Sequence, residues 1–217
     1  MKLYYTPGAC SLAPHIVLRE ADRRFELDRV DLRTKRTASG RNFLEINPKG
    51  NVPVLQLDGD HSEALTEVEV VLQYIGDLAA DARLLPANGT FARYHLQEWL
   101  AFIASELHKP FSFLRRHDTP DAMKQILRTR ICERLGYIGG ALRDRTFLMG
   151  ESFTVADAYL FVILLWAGKL QIEVAPHVDE YQSRIAHRPA VEDALAAEGV
   201  VRGHRYRHSA VATRADA

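Results

Sequence analysis

A cysteine near the amino terminus is the first residue whose position favours chemistry. Cys10 follows a short apolar segment, Lys2–Tyr5, and precedes Ser11–Ala21, whose apolar residues recur at helical spacing. Backbone N–H groups and the positive end of a helix dipole favour a thiolate at such a junction. We therefore expect the pKa of Cys10 to fall by about one unit or more below the usual ~8.5. The alternative is a small buried apolar residue, which is what most cysteines are.

A second polar cluster follows an apolar helical stretch and precedes a proline. It contains Glu106, His108 and Lys109 within the segment Ser105–Lys109. Helical spacing predicts Glu106 and Lys109 on one side of the helix, with His108 rotated away. Taken alone, the cluster is better explained as a solvated helix end than as a reactive site.

Other residues that could bind or react carry weaker patterns. Cys132 lies beside Ile131 and Leu135 in an amphipathic segment, where we expect it to fill the core. His15 and the other histidines lack the spacing of metal ligands, so no metal is expected. The sequence also lacks a phosphate-binding loop and the glycine pattern of dinucleotide-binding folds.

The elements that must position these residues change in kind along the chain. Up to residue 80, strand and helix patterns alternate: strands at Lys2–Tyr5, Phe25–Leu32 and Val52–Leu57, helices at Ser11–Ala21 and Glu67–Leu78. Asp58–Asp60 predicts a hairpin turn before a short strand at Ala64–Leu65, and the polar segment Lys35–Ile46 is predicted to be a loop. The order βαβ, then ββα, indicates an α/β layer.

After residue 90 only helical patterns remain. They predict helices at Thr90–Leu114, Asp121–Leu142, after Thr154, and near 178–186 and 190–197. Thr154 and Asp157 have the spacing of a capping box, so we assign Asp157 to folding. The predicted organisation is an α/β domain at 1–80, a linker at 81–89, an all-helical domain at 90–199 and a basic, flexible tail at 200–217.

Composition narrows the class of protein further. The 217 residues carry 28 basic and 28 acidic side chains, so no overall field attracts nucleic acid or anionic lipid. Two cysteines exclude a disulfide scaffold and suit a reducing compartment. Thr6–Gly8 interrupts the first apolar run, so no signal peptide is expected, and no apolar stretch reaches the roughly 18 residues of a membrane span. A cytoplasmic protein is expected.

Five segments together resemble the bacterial beta-class glutathione transferases. They cover roughly residues 1–200 in the family's order; each is weak evidence alone, but their order and spacing are specific. The segments are Met1–His15 (MKLYYTPGACSLAPH), Asn47–Pro53 (NPKGNVP), Leu65–Glu67 (LTE), Glu106–Lys109 (ELHK) and Phe153–Asp157 (FTVAD). The resemblance implies a thioredoxin-like α/β domain followed by an all-α domain, with glutathione as co-substrate and a homodimer as the assembly.

The resemblance also implies roles for individual residues. Cys10 matches the cysteine that meets the glutathione thiol, and the backbone of Val52, before the cis-proline match Pro53, pairs with the cysteinyl part. Glu67 matches the acid that receives the γ-glutamyl ammonium, and Lys35 a lysine near the glycine end. The remaining matched positions are His108 and Lys109 near the sulfur, Ser105 and Glu106 facing the partner subunit's glutathione, and Ala9, Asn51 and Val68 as further contacts.

The implied activity is transfer of the glutathione thiol to small electrophiles, or glutathione-dependent reduction of a disulfide, peroxide or halide. Two other classes stay open. One is a monothiol oxidoreductase of glutaredoxin type, since Cys10 has no Cys-x-x-Cys partner. The other is a catalytically silent binding module of the same fold.

One departure from the family pattern concerns the γ-glutamyl end. Val68 stands where the family usually has Ser or Gly, and the next residue is a further acid, Glu69. Without a hydroxyl at position 68, glutathione affinity is expected to be weaker than is usual for the family. Glu69 is expected to point to solvent as a helix-start acid.

Overall fold

The computed structural model describes residues 1–58, 63–79 and 82–200. Five strands form one sheet in the order β3-β2-β1-β4-β5. β1 runs parallel to β2 and antiparallel to β4, β5 is antiparallel to β4, and β3 is antiparallel to β2. The strands are β1 (Lys2–Tyr5), β2 (Glu26–Asp31), β3 (Arg36–Thr37), β4 (Val54–Gln56) and β5 (Ala64–Thr66).

Side chains alternate across this sheet and so create two apolar layers. Leu3 and Leu55 are paired in register and face the main core, which continues into the helical part of the chain. The next residue, Tyr4, points to the opposite face, where it packs against Phe43 and Val54. A parallel pair needs a crossover, and α1 (Leu12–Glu20) supplies it between β1 and β2.

The remaining helices are α2 (Phe43–Ile46), α3 (Val68–Leu78), α4 (Phe91–Phe102), α5 (Lys109–Leu114), α6 (Asp121–Leu142), α7 (Val155–Lys169), α8 (Pro176–Ala186) and α9 (Pro189–Glu198). α7 is central: every residue from Val155 to Ala167 is buried. α1 packs against α3 on one side and against α7 and α9 on the other, which joins the sheet layer to the helical part.

The capping box at the start of α7 is confirmed. Asp157 accepts hydrogen bonds from the Thr154 backbone N–H and hydroxyl, both at 2.8 Å. The same carboxylate accepts from the Leu148 N–H and the Tyr181 hydroxyl, at 2.8 and 2.7 Å. This buried carboxylate therefore ties α8 and the segment before α7 to the helix start, a structural role.

Two sequence predictions about local structure are wrong. The segment predicted as a loop, Lys35–Ile46, contains β3 and α2. The four-residue α2 is stabilised at its start by Asn42, whose side chain accepts a hydrogen bond from the Leu44 N–H. Both elements are too short to show a hydrophobic period. The predicted helix Thr90–Leu114 is interrupted by a π-helical turn at Ile103–His108. The predicted hairpin turn at Asp58–Asp60 and the basic tail lie, except for Asp58 and Val200, outside the described residues.

Candidate functional site

A cleft of about 460 Å³ lies between the sheet and the helices α5 and α7. Its walls come from the loop after β1, the segment before β4, the start of α3 and the π turn into α5. Most of the predicted site residues are brought together here: Ala9, Cys10, Asn51, Val52, Pro53, Glu67, Val68, His108 and Lys109. A larger cavity of about 700 Å³ lies between α4 and α6 and contains none of the predicted residues.

Cys10 is buried at the floor of this cleft, just before the start of α1. Its thiol donates a hydrogen bond to the Val52 carbonyl oxygen, with Sγ and O separated by 3.2 Å. Burial raises the pKa of Cys10 to about 12, although the backbone N–H groups of Cys10 and Ser11 act in the opposite direction. The expected lowered pKa is therefore wrong, because desolvation outweighs the helix start, and the thiol is protonated at neutral pH.

The segment that faces Cys10 is held in an extended geometry. The Val52–Pro53 peptide bond is cis, as the resemblance implies, and β4 begins at the following residue. The Asn47 side-chain amide donates to the Asn51 carbonyl at 2.8 Å, which fixes the chain just before Val52. The backbone of Asn51–Pro53 thus lines the cleft beside the sulfur.

The start of α3 forms the acidic end of the cleft. Glu67 precedes the helix with a φ of 67°, a left-handed conformation that a non-glycine residue adopts at a cost of about 1–3 kcal/mol. Its carboxylate pairs with Lys49, which also donates to the Thr66 hydroxyl. The first N–H groups of α3 have no partner within the helix, so the Val68 N–H is free to meet an anion. Glu69 is an acid in the first turn of α3, as predicted; it is half-buried and also borders the cleft.

His108 lies at the opposite wall, next to two aromatic residues of α7. Its Nδ1 shares a 2.6 Å hydrogen bond with the Tyr159 hydroxyl, and its ring meets the edge of Trp166 at 5.1 Å between centroids. Burial, with smaller contributions from the positive charges of Lys109 and Arg115, lowers the pKa of His108 to about 4. The imidazole is therefore neutral at physiological pH, and the same desolvation makes it a weak proton acceptor.

The predicted partition of the polar cluster is wrong. His108 and Lys109 both line the cleft, whereas Glu106 faces away and accepts hydrogen bonds from Arg130 and Arg134 of α6. The cause is the π turn, whose wider spacing shifts the angular positions that a regular α-helix would give. Ser105 is exposed, and its hydroxyl donates to the Ala101 carbonyl at 2.9 Å.

The structure places Lys35 and Cys132 differently from what the sequence predicts. Lys35 does not line the cleft; its ammonium donates to the Gly50 carbonyl at 2.8 Å, behind the Asn47–Pro53 segment. Cys132 is exposed, so the prediction that it fills the core is wrong. On α6 the buried positions are Ile131 and Leu135, and the residue next to Ile131 is turned to the outside.

Sequence reasoning missed several residues of the cleft, and four of them bear on its chemistry. Lys49 lies within the matched segment Asn47–Pro53 and could have been identified there as the cation beside Glu67. Tyr159 and Trp166 lie in the apolar α7, and nothing in their spacing separates cleft residues from core. Arg115 follows α5 directly and keeps helical dihedral angles, so it lines the cleft on the same face as His108 and Ser112. Among the described residues, no group of three or more His, Cys, Asp or Glu side chains is arranged to hold a metal ion.

Comparisons with known proteins agree with this geometry. Two family models match: Glutathione S-transferase, N-terminal domain, over residues 1–77, and Glutathione S-transferase, C-terminal domain, over residues 102–189. Glutathione S-transferase GstA of Escherichia coli O157:H7 is 46% identical over 202 residues, which is 92% of this chain and 100% of the relative.

Two solved structures are similar along nearly the whole chain. The ternary complex of BphK, a bacterial glutathione transferase, shares 49% identity with a TM-score of 0.89 and covers 92% of this chain and 100% of that one. The bacterial beta-class enzyme of Sphingomonas chungbukensis shares 43% identity with a TM-score of 0.86, covering 93% and 100%. In the described part of the chain, no helix is long and apolar enough to cross a membrane.

Proposed function

The chain belongs to the bacterial beta-class glutathione transferases, and on that premise we propose how its cleft uses glutathione. The enzyme transfers the thiol of glutathione, its co-substrate, to small electrophiles. The observation that carries the proposal is the protonated Cys10 thiol, 3.2 Å from the Val52 carbonyl at the floor of the cleft. A neutral thiol there donates a hydrogen bond, and a glutathione thiolate would be a stronger acceptor than the carbonyl.

The charges of the cleft are consistent with one orientation of glutathione. Its γ-glutamyl ammonium would meet Glu67, and the neighbouring carboxylate would meet the Val68 N–H at the start of α3. The backbone of Val52 would pair with the cysteinyl unit, beside Asn51, Pro53 and Ala9. Lys35 would serve the glycine carboxylate by moving its ammonium from the Gly50 carbonyl, to which it donates at 2.8 Å.

Two groups then favour the reactive thiolate. Cys10 stabilises it by donating the S–H hydrogen bond. With Tyr159 donating to Nδ1, the neutral His108 would present its Nε2–H as a second donor at the same wall, and the proton of the glutathione thiol would pass to water. Tyr159 holds the imidazole in place through its hydroxyl. Lys109, at the same wall, adds a positive charge that favours the thiolate. In the transfer step the sulfur forms a bond to the electrophilic carbon, and the leaving group departs with its bonding electrons.

Replacing Cys10 by a hydroxyl donor and by a methyl group tests this assignment. Cys10→Ser keeps a hydrogen-bond donor, so we expect it to retain conjugation of an aryl halide within about tenfold of the original enzyme. Cys10→Ala has no donor and should raise the pKa of bound glutathione, measured by the ultraviolet absorbance of the thiolate. Loss of conjugation in Cys10→Ser to the level of Cys10→Ala contradicts the hydrogen-bonding role.

A redox role is the second candidate function. Cys10 would then form a mixed disulfide with glutathione and exchange it with an oxidised substrate. The backbone N–H groups of Cys10 and Ser11, which favour the thiolate, support this alternative. Reduction of a glutathionylated peptide faster than aryl-halide conjugation, with no activity in Cys10→Ser, would favour it. A catalytically silent binding module would show neither activity while still binding glutathione or a partner protein.

We also propose that the enzyme is a homodimer whose sites receive residues from both subunits. Ser105 and Glu106 face away from their own cleft and are accessible to a second subunit. Large apolar side chains on α3 and α4 are also exposed, including Val70, Phe91 and Tyr94. Sedimentation at micromolar concentration should show a dimer, and Phe91→Asp should weaken it more than a substitution on the exposed face of α9. A monomer would contradict the proposal.

A cytoplasmic location completes the proposal. Its support is the pair of cysteines, which occur as free thiols. Cell fractionation with antibody detection tests the location, and recovery with the periplasmic fraction would contradict it.

A further inference from the structure

The cleft contains a cation, Arg115, that stacks on an aromatic ring and has no acidic partner among the described residues. Arg115 follows the last residue of α5, and its guanidinium carbon lies 5.3 Å from the centroid of the Trp166 ring. Trp166 is buried, and its indole N–H donates to the Gly8 carbonyl at 2.9 Å. The ring is therefore a rigid surface, and cation–π attraction holds Arg115 over it at the edge of the cleft.

The adjacent arginine shows what distinguishes Arg115. Arg116 also borders the cleft, but its guanidinium is paired with the Asp118 carboxylate, with 2.8 Å between Nε and Oδ1. Throughout the described ranges, no carboxylate lies within ion-pair distance of Arg115 or of Lys109. The positive charge of Arg115 is thus available to a ligand.

The charges of the cleft are separated along its length. Glu67 and Glu69 stand at the α3 end, where Lys49 offsets part of their charge. Lys109 and Arg115 stand at the helical end, beyond the sulfur position at Cys10. The Arg115 side chain lines the same cleft as Cys10 and His108, and it lies over Trp166, whose ring also contacts His108.

The surface between these cations and Cys10 is aromatic and apolar. It is formed by Trp166, Tyr159, Pro7 and Ala104. A flat ring suits such a surface, and a carboxylate on that ring would reach the guanidinium, which binds carboxylates with two parallel hydrogen bonds. We propose that Arg115 determines the second substrate of this transferase by binding the anionic group of a carboxylate-bearing aromatic electrophile.

This inference rests on the proposed function, since it names the partner of the glutathione thiolate. In the reaction, the thiolate sulfur attacks the ring carbon that carries a halogen, and the carbon–sulfur bond forms. The carbon–halogen bond then breaks and the halide leaves with the bonding electrons. No oxidant or reductant is needed, and the substrate carboxylate stays unchanged beside Arg115.

A pair of substrates that differ only in charge tests the proposal. We suggest 4-chloro-3,5-dinitrobenzoate and the uncharged 4-chloro-3,5-dinitrobenzamide, with kcat/KM measured for each. Arg115→Gln should lower the benzoate-to-benzamide ratio of kcat/KM by about tenfold. This is the change in affinity expected when one hydrogen bond between charged groups is lost. Arg115→Lys should restore part of that ratio, and Arg116→Gln, whose guanidinium is already paired, should leave it unchanged.

Other results would overturn the assignment. An equal loss for both substrates in Arg115→Gln would make Arg115 a structural residue. An increase in the KM for glutathione, with the ratio unchanged, would assign Arg115 to the co-substrate. These outcomes leave the proposed conjugation intact.

Failure of conjugation itself is distinguished by a binding measurement. If the original enzyme conjugates neither chloride, the proposed function fails, and calorimetry with the unreactive 3,5-dinitrobenzoate in the presence of glutathione tests Arg115 separately. Weaker binding to Arg115→Gln than to Arg116→Gln still supports the anion site. Equal binding to both variants overturns it.

Discussion

The Cys10 thiol donates a hydrogen bond to the Val52 carbonyl oxygen across the floor of the cleft, 3.2 Å away. The cysteine beside a helix start is thus a buried hydrogen-bond donor, while Cys132 is exposed on α6. The helix start favours the thiolate of Cys10, but burial favours the protonated thiol, and the effect of burial on the pKa is the larger one.

The two cysteines should therefore react in the order opposite to the one that the sequence suggests. With iodoacetamide near pH 8 and no glutathione, we expect Cys132 to be alkylated at least tenfold faster, because a group with a pKa of about 12 is only about one part in ten thousand thiolate. Peptide mapping over time measures both rates. Cys132→Ser should leave slow labelling at Cys10 alone, and equal rates at the two sites would refute the burial argument.

Stability should depend on His108 in mildly acidic solution. Its pKa is about 4 in the folded protein and near 6.5 in the unfolded chain, so the unfolded chain takes up the proton first as the pH falls. The contribution of His108 is therefore complete above about pH 6.5 and decreases as the pH falls toward 4. Between pH 8 and pH 5 we expect a loss of about 2 kcal/mol in the free energy of unfolding.

Urea unfolding at both pH values measures this dependence. His108→Asn should remove about that difference relative to the original protein. His117→Asn, at an exposed histidine, is the matched control and should retain it. The same pH dependence in His108→Asn as in the original protein would mean that other groups cause it.

Glutathione affinity should increase when a hydroxyl is placed at the start of α3. Val68→Ser offers the γ-glutamyl carboxylate a second donor beside the backbone N–H, and one charge-assisted hydrogen bond corresponds to about a tenfold or larger change in Kd. Because Val68 is buried, Val68→Ala is the control that loses the same apolar contact without gaining a hydroxyl. Calorimetric titration of glutathione compares the two. Equal affinity would mean that the backbone donor suffices.

The end of α9 should be essential for stability. The Glu198 carboxylate accepts from the Gly8 N–H and pairs with His15 Nδ1, both at 2.9 Å, and all of these groups are buried. Arg19 donates to the other ring nitrogen of His15, so His15 donates from Nδ1 to Glu198. Glu198→Ala should cost about 2–6 kcal/mol in the free energy of unfolding, because it leaves two buried donors, the Gly8 N–H and the His15 Nδ1–H, without an acceptor.

Chemical denaturation measures that loss for Glu198→Ala beside two controls. Glu198→Gln retains one acceptor and should lose less. Asp193→Asn, at an exposed acid of the same helix that lies 3.9 Å from Arg19, should change the stability little. A loss below about 1 kcal/mol in Glu198→Ala would show that packing of α9 alone holds it against α1.

Sequence reasoning succeeded where a pattern reports a local cause. The capping box at Thr154 and Asp157, the helix Asp121–Leu142 and the α/β organisation of the first strands each follow from spacing that local physics explains. The order of five matched segments identified the family, and most of the matched residues meet in one cleft.

What the sequence could not supply depends on burial and register. The pKa of Cys10 depends on residues distant in the chain that exclude water around the thiol. The accessibility of Cys132 depends on which side of α6 faces the core, and a neighbouring Ile131 does not decide it. Lys49 and Glu67 meet only because the chain folds back along β4 and β5.

The π turn at Ile103–His108 has a consequence for how this cleft can change during evolution. A π turn corresponds to one residue inserted into an α-helix, and α4 and α5 continue on either side of it. Deleting a single residue there would restore a regular helix and rotate His108 and Lys109 by about 100° relative to α4. A one-codon deletion would thus remove both side chains from the reaction, and it would also turn the buried Phe111 and Leu114 of α5 out of the core, so selection on packing protects the reactive wall from this change.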